Sequence, residues 1–303
     1  MTENSSPTSI HPYGKALPSP IIKGTPQRNT PLRRFLRNPR AVFGLILLVG
    51  FVLIAVFAPV IAPFEPDEQF VNDRLLPPNS TYVMGVDGLG RDVFSRALYS
   101  AQISIPIGIF AMLVSILVGV TIGLLAGYLG GWVDVLLMRL TDMLLAFPVL
   151  FLLLTVTTLF GRTIPVLILV LGLTSWGVNA RIVRGQVLAL REKEFVEAAR
   201  SLGAGNYGII WRHIFPNIVP LIIVDATLRI ALVILIEGGL SFLGVGVQPP
   251  TPSWGSMVAE GGTLLRRAWW VSVFPGAFLF LCTISFNLVG DGLRDALDPR
   301  MKQ

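Results

Sequence analysis

Charged residues are scarce in this 303-residue sequence. They make up 14% of the chain, against about 25% in ordinary globular proteins. Hydrophobic residues make up 53%, and the mean hydropathy is +0.70. A soluble domain needs a charged surface, and this chain has too few charged residues to form one. A disordered chain is excluded as well, because the composition is too apolar. The single cysteine, Cys282, excludes an intramolecular disulfide. The sequence therefore predicts a membrane protein.

Residues that carry catalysis or bind metals are also missing. The P-loop pattern GxxxxGK[ST] does not occur, so the chain is not expected to bind ATP through such a loop. The two histidines, His11 and His213, are far apart, and no Ser/His/Asp set converges. We expect no catalytic residue, no metal site and no cofactor in this chain.

Six stretches approach or exceed the length of about 20 apolar residues that crosses a bilayer. They are residues 41–62, 103–129, 134–160, 163–182, 217–246 and 268–290. The fifth is expected to be irregular because it carries Asp225, Arg229 and Glu237. Residues 1–30 are polar and rich in Ser, Thr and Pro, which predicts a disordered cytoplasmic tail. The expected fold class is an all-α membrane protein with six transmembrane helices.

The distribution of Lys and Arg predicts the orientation. Residues 1–40 hold seven bases and one acid, which accounts for the net charge of +6, and residues 181–212 hold six bases. Residues 63–102 hold three bases and six acids. Because basic loops stay on the cytoplasmic side, both termini and residues 181–212 are predicted to be cytoplasmic, with 63–102 and 248–267 outside. Basic residues beside a membrane span determine its orientation, so they do not indicate a nucleic-acid partner.

Small residues and aromatics within and beside the spans also carry information. Four glycines recur at intervals of four in the second span: Gly119, Gly123, Gly127 and Gly131. They share one helix face and predict close packing of a neighbouring helix, with a hinge as the alternative. Three tryptophans are expected to anchor the outer membrane interface: Trp254, Trp269 and Trp270.

Three charges are predicted to lie at membrane depth in the fifth span. Such groups are costly and face a protein interior or an aqueous cavity. Asp225 and Arg229 are four residues apart, so they can pair on one helix face. Glu237 lies on a nearby face, eight residues beyond Arg229. Two alternatives stay open: these residues line a translocation path, or they form structural ion pairs, including pairs to another subunit.

The loop between the fourth and fifth spans, residues 191–216, predicts two short helices joined by a Gly-Ala-Gly turn. Phe195, Ala199 and Leu202 recur on one face of the first helix, and Gly203 stands where a helix-ending glycine belongs. Asn206 is a good N-cap for the second helix. Isolated helices of this length are marginal in water. Spacing alone leaves two alternatives, a solvated loop and a helix that docks in a partner's groove.

The segment that begins with Glu197-Ala198-Ala199 resembles the EAA loop of ABC-importer permeases. Three residues separate Ala199 from Gly203, and Pro216 ends the segment. Other stretches are similar to the dipeptide/oligopeptide/nickel permeases, "C"-type subunit, and occur in the family's order over roughly residues 30–303. They are Gly85-Val-Asp-Gly-Leu-Gly-Arg-Asp92, Gly127-Tyr-Leu-Gly-Gly131, Gln248-Pro-Pro-Thr-Pro-Ser-Trp-Gly255 and Gly290-Asp-Gly-Leu-Arg-Asp-Ala-Leu-Asp-Pro-Arg300. Val86, Ser100 and Gln102 depart from the branch's usual residues.

The resemblance implies that residues 31–303 form an importer's transmembrane domain in the cell (inner) membrane. It implies a homologous permease subunit, two ATP-binding subunits that hold ATP and Mg, and an extracytoplasmic solute-binding protein. The expected cargo is a di- or oligopeptide, with nickel, glutathione or another small solute as alternatives. An ion-coupled secondary transporter and a channel subunit are the rival classes.

The resemblance also assigns roles to residues. Glu197, Ala198, Ala199 and Gly203 are expected to form the coupling helix that docks on the ATPase. Asp87, Arg91 and Asp92 in the first outer loop are candidate contacts for the solute-binding protein. A capped, self-bonded turn is the alternative.

Overall fold

The computed structural model describes residues 30–297, and these residues are almost entirely helical. The predicted disordered tail, residues 1–30, lies outside the described residues apart from Thr30. The helices are α1 Pro31–Arg37, α2 Pro39–Ile61, α3 Val93–Leu129, α4 Gly131–Ala146, α5 Val149–Phe160, α6 Ile164–Arg191, α7 Glu194–Ser201, α8 Asn206–Gly208, α9 Phe215–Phe242, α10 Trp254–Gly262 and α11 Trp270–Leu297. A π-helical turn, Ile209–Ile214, joins α8 to α9, and the described residues contain no strand beyond an isolated bridge between Val86 and Asp92.

Five helical segments are long and apolar enough to cross a membrane: α2, α3, α6, the continuous segment Asn206–Phe242, and α11. The pair α4 and α5, bent by 87°, makes a sixth if it counts as one span. The all-α membrane fold is thereby confirmed.

The irregularity lies in the third span and not in the fifth, where it was predicted. Pro148 has no N–H and disfavours a helical conformation at Phe147, so α4 ends there. The fifth span stays helical through Asp225, Arg229 and Glu237 because these side chains find hydrogen-bond partners inside the chain and leave the backbone ladder intact.

Several helices differ in length from the predicted spans. Helix α3 begins at Val93, not at residue 103, because the Asp92 carboxylate accepts the Ser95 N–H at 2.7 Å and caps it. Helix α6 runs to Arg191, nine residues beyond the predicted end at 182. Helix α9 ends at Phe242, not at 246, and Gly244 follows with a φ of +76°.

The close approach of α3 and α6 confirms most of the glycine prediction. A Cβ at Gly119, Gly123 or Gly127 would lie 2.7–2.8 Å from atoms of α6. Gly131 is the exception, since it has open space around it and begins α4 with a φ of +55°. Glycine therefore brings the two backbones together along three successive turns.

Residues 63–92 and 248–269, which the sequence predicts to lie outside, pack into one cap over the ends of α3 and α11; it is called the outer cap after that prediction. Trp254 is fully buried and donates its indole N–H to Ala97 O at 2.9 Å. Trp270 is buried and donates to Val86 O at 3.2 Å. The prediction of interfacial anchors is wrong for these two residues, because each indole has a partner inside the cap. Of the three tryptophans predicted as anchors, Trp269 alone is exposed.

Candidate functional site

Helix α7 ends as the sequence predicts. Gly203 has a φ of +83°, its N–H donates to Arg200 O, and the N–H of Ala204 donates to Ala199 O, both at 3.0 Å. This pair of bonds is a Schellman motif, which satisfies the last carbonyls of the helix and turns the chain sharply. A residue with a Cβ is penalised in this conformation, so the turn depends on glycine.

The predicted apolar face of α7 is mostly not buried within the chain. Val196 and Ala199 are buried, while Phe195 and Leu202 are exposed. The reason is tertiary: Val196 packs in a cluster with Ile209, Ile214 and other apolar side chains of the segment that leads into α9.

The four residues assigned to ATPase docking therefore fall into two groups. Glu197, Ala198 and Gly203 are exposed, whereas Ala199 is buried and attaches α7 to the rest of the protein.

Further contacts fix the segment to the membrane domain. The Tyr128 hydroxyl, at the end of α3, donates to Asn206 Oδ1 at 3.0 Å. Arg191 Nη1 donates to Gly127 O at 3.1 Å. Asn206 is the first residue of α8 and Gly205 is its N-cap, so the capping role predicted for Asn206 is wrong. The Asn206 side chain instead holds the segment against α3.

The outer surface of this segment is unusually apolar. Leu202 is 88% exposed, Tyr207 77% and Phe195 41%. Phe195 and Leu202 belong to α7 and its C-terminal end, whereas Tyr207 belongs to α8 and lines a cavity against α3. Exposed apolar side chains of this size are typical of a surface that a partner protein covers.

Asp225 and Arg229 form the ion pair that their spacing predicts. Arg229 Nε lies 2.8 Å from Asp225 Oδ2, and each side chain is about one quarter exposed. Arg229 is the fifteenth of the 28 residues of α9, so the pair lies near the middle of the span. Arg229, but not Asp225, lines a cavity of about 330 Å³ beside the break between α4 and α5.

Glu237 does not join this pair. It lies two turns further along α9, about 12 Å away along the helix axis. Its carboxylate is fully buried and accepts hydrogen bonds from Ser241 Oγ at 2.7 Å and Ser104 Oγ at 3.2 Å. The structure thus separates the three charges into a pair that is about one quarter exposed and a buried link between α9 and α3.

Asp87, Arg91 and Asp92 are buried in the outer cap, each at most 5% exposed. Arg91 Nε lies 2.7 Å from Asp87 Oδ2, and Asp92 caps α3. Burial raises the pKa of the Asp92 carboxyl above its ordinary value, although Ser95 donates two hydrogen bonds to it. Direct contact with a binding protein disagrees with this burial; the self-bonded turn, the alternative left open by the sequence, is what the structure contains.

Two residues of this cluster were missed by sequence reasoning. Glu260, in α10, lies 2.6 Å from Arg91 Nη2 and 3.5 Å from Arg96 Nη2. It is the only acid among residues 248–267, which is the one signal that could have singled it out. Arg96 also donates to Pro66 O at 3.2 Å. The cluster therefore ties the first outer segment to the second.

No group of three metal-ligating side chains occurs within residues 30–297.

The spanning helices identify a multi-pass membrane protein. Residues 119–303 match the family described as binding-protein-dependent transport system inner membrane component. Residues 30–78 match the N-terminal TM domain of oligopeptide transport permease C. The chain belongs to this transport family and is a peptide-type ABC permease of the C kind, not an ATPase.

Two relatives are similar over nearly their whole length. The chain is 46% identical over 271 residues to the glutathione transport system permease protein GsiD of Shigella flexneri serotype 5b (strain 8401). It is 44% identical over 271 residues to the protein of the same name from Escherichia coli O157:H7. In both comparisons the match covers 89% of each chain.

Proposed function

We propose that this chain and a homologous permease subunit form the translocation path of an ATP-driven importer for small peptides of the glutathione type. The observation that carries the proposal is the segment of residues 191–216, which is bonded to α3 through Asn206 and exposes the apolar side chains of Phe195 and Leu202. A segment bonded in this way can transmit the movement of a docked partner to the spans.

ATP hydrolysis is assigned to two partner subunits that dock on α7 and hold ATP and Mg. Glu197, Ala198 and Gly203 offer the exposed docking face, together with the apolar side chains of Phe195 and Leu202. Ala199 is given a positioning role, since its side chain faces the protein interior.

In the proposed orientation both termini and α7 are cytoplasmic, and the cap of residues 63–92 and 248–269 faces outside. The cap receives an extracytoplasmic solute-binding protein. Asp87, Arg91 and Asp92 act as an internal brace that holds the cap in shape and do not contact that protein themselves. The brace extends to Glu260, so both outer segments present one surface.

The proposal of a peptide cargo rests on the two relatives. Both are named glutathione transport permeases, and the match covers 89% of the length of each. Nickel and other small solutes remain alternatives from the wider branch. An ion-coupled secondary transporter or a channel subunit is the alternative of a different class, and it has no use for a docked ATPase.

Affinity capture of the tagged chain from detergent-solubilised membranes tests the assignment. P-loop ATPases are expected in the captured complex, and a cysteine replacing Ala198 in a Cys282→Ala background should crosslink to them. A cysteine replacing Ser80, in the opposite cap, is the matched control and should not. Recovery of the chain without any ATPase would favour the ion-coupled transporter or the channel.

A further inference from the structure

The cavity of about 330 Å³ beside Arg229 lies where the third span breaks. Its lining includes Phe147 and Val149 on either side of the break, Ser175 on α6, and Arg229 and Leu232 on α9. Its volume falls within the range of about 300–1,000 Å³ that is usual for small-molecule sites.

The break itself indicates that this region does not face lipid. Phe147 and Pro148 interrupt the helix near the middle of the third span, and both are exposed on the surface of this chain. Backbone groups freed at membrane depth cannot be satisfied by hydrocarbon, so non-helical backbone occurs there only against protein or a water-filled cavity. Broken helices near mid-membrane mark binding sites in other transporters for the same reason.

Arg229 lines this cavity, and its ion pair with Asp225 leaves one edge of the guanidinium without a partner among the described residues. Arg229 uses Nε for its bond to Asp225, and neither Nη group has a hydrogen-bond partner among the described residues. Asp225 does not line this cavity; it borders a separate one of about 10 Å³ together with Asn179. Asp225 therefore holds the guanidinium through Nε and leaves both Nη groups available for a ligand.

Such an edge suits a carboxylate. Two parallel N–H donors match the two oxygens of a carboxylate, and apolar walls such as Leu145 and Leu232 strengthen the interaction by excluding water. Arg229 lies near the middle of its span, far from lipid phosphates at the membrane surface.

We propose that this cavity is a carboxylate-binding subsite on the translocation path, in which the Nη edge of Arg229, positioned by Asp225, holds a carboxylate of a peptide-like solute. The inference rests on the proposed function, because it takes the solute to be peptide-like and the cavity to lie on its route. It assigns Arg229 to solute binding and Asp225 to positioning.

A neighbouring cavity supplies a matched control. It has a volume of about 360 Å³ and lies between α5 and α6. Its lining, which includes Leu169, consists of apolar side chains and one threonine and contains no charged residue.

The experiment compares single cysteines in the two cavities. Cysteine replaces Ser175 in the proposed subsite or Leu169 in the control, each in a Cys282→Ala chain within the complete transporter, whose other subunits carry no cysteine. Reaction rates are measured with an anionic sulfonatoethyl and a cationic trimethylammonioethyl methanethiosulfonate.

The ratio of anionic to cationic reaction rates is expected to be at least about fivefold higher at Ser175→Cys than at Leu169→Cys, because a nearby positive charge concentrates anions. The double substitution Asp225→Asn with Arg229→Gln keeps the net charge of the pair and should bring the ratio down to the control value. If the ratio of anionic to cationic reaction rates is the same at Ser175→Cys and Leu169→Cys in a chain that keeps Asp225 and Arg229, the proposal is overturned. This comparison does not depend on how a variant at Arg229 folds.

Protection by a solute completes the test. The thiol-free tripeptide γ-glutamylalanylglycine should slow the labelling of Ser175→Cys, whereas its form with both carboxylates amidated should not. Equal protection by the two forms would refute a carboxylate subsite.

Glutathione uptake by the same complex shows whether a negative labelling result refutes the carboxylate subsite alone or the proposed function as well. ATP-dependent uptake without charge-selective labelling removes the subsite alone. Absence of ATP-dependent uptake removes the importer assignment, and the subsite with it.

Discussion

A single glycine sets the point at which α7 ends and the chain turns back toward the membrane. Gly203 has a φ of +83°, and no atom lies within 4 Å of the position that a Cβ would occupy there, so the requirement for glycine is conformational and not steric. Gly205, two residues on, also has open space but an ordinary φ of −70°.

Gly203→Val is expected to lower ATP-dependent uptake about tenfold, because a side chain in the left-handed region costs about 1–2 kcal/mol and displaces the docking face. Gly205→Ala is the matched control and should transport at the wild-type rate. Uptake by reconstituted complexes is the measurement. Wild-type uptake by Gly203→Val, with the ATPase still bound, would remove α7 from the coupling path.

The Asp225–Arg229 pair makes a prediction about assembly. Asp225→Asn or Arg229→Gln alone leaves an unpaired charge at membrane depth, which costs about 2.5–3.5 kcal/mol on insertion scales. The double variant leaves none, so the amount of assembled complex should recover, with a coupling energy of about 0.5–3 kcal/mol in a double-mutant cycle. Uptake should stay low in the double variant. Additive losses of assembly would mean that each residue has a different partner.

Residue-level predictions succeeded where the deciding contact was local. The positive φ of Gly203 and the Asp225–Arg229 bond follow from spacing along one helix. The partners of Arg91 and Arg96 could not be predicted, because Glu260 is more than 160 residues away along the chain. The residues of α7 that are buried could not be predicted either, because Val196 packs against Ile209 and Ile214, which lie outside that helix.

At the scale of elements, the packing of α3 on α6 depends on glycine. A Cβ at Gly123 would lie 2.7 Å from Ala180 O and from Val183 Cβ. Gly123→Ala is therefore expected to lower the unfolding free energy of the purified protein by about 1–3 kcal/mol, as overpacking does. Gly50→Ala, in α2 with open space around it, is the control and should be neutral or slightly stabilising. Thermal denaturation in detergent distinguishes the two, and equal shifts would contradict the role of glycine.

Hydropathy located the spans but not their ends or their break. The start of α3 at Val93 is hidden from hydropathy because polar residues, among them Arg96 and Ser100, are buried in the outer cap and not exposed to water. The break at Phe147-Pro148 is signalled by one proline, yet Pro106, Pro220 and Pro275 lie inside helices that continue. Tertiary packing decides which proline ends a helix.

At the scale of the whole molecule, α3 links the two surfaces assigned to partners. Its 37 residues span about 55 Å, from the ion-pair cluster at Asp92 and Arg96 to the Tyr128–Asn206 contact beneath α7. One rigid helix therefore joins the outer cap to the coupling segment.

This arrangement predicts which ends face which side. In a Cys282→Ala background, a cysteine replacing Ser80 should react with an impermeant maleimide in intact cells. A cysteine replacing Leu202, 88% exposed at the tip of α7, should react only after the cells are permeabilised. The reverse pattern would invert the proposed orientation.

In the proposed complex, this chain moves a solute only when a docked ATPase hydrolyses ATP. Glutathione uptake is measured in proteoliposomes that contain the complete complex and its solute-binding protein, with ATP, with a non-hydrolysable analogue, or with an ion gradient alone. Uptake is expected with ATP only. Uptake driven by an ion gradient in the absence of ATP would refute the coupling of transport to ATP hydrolysis.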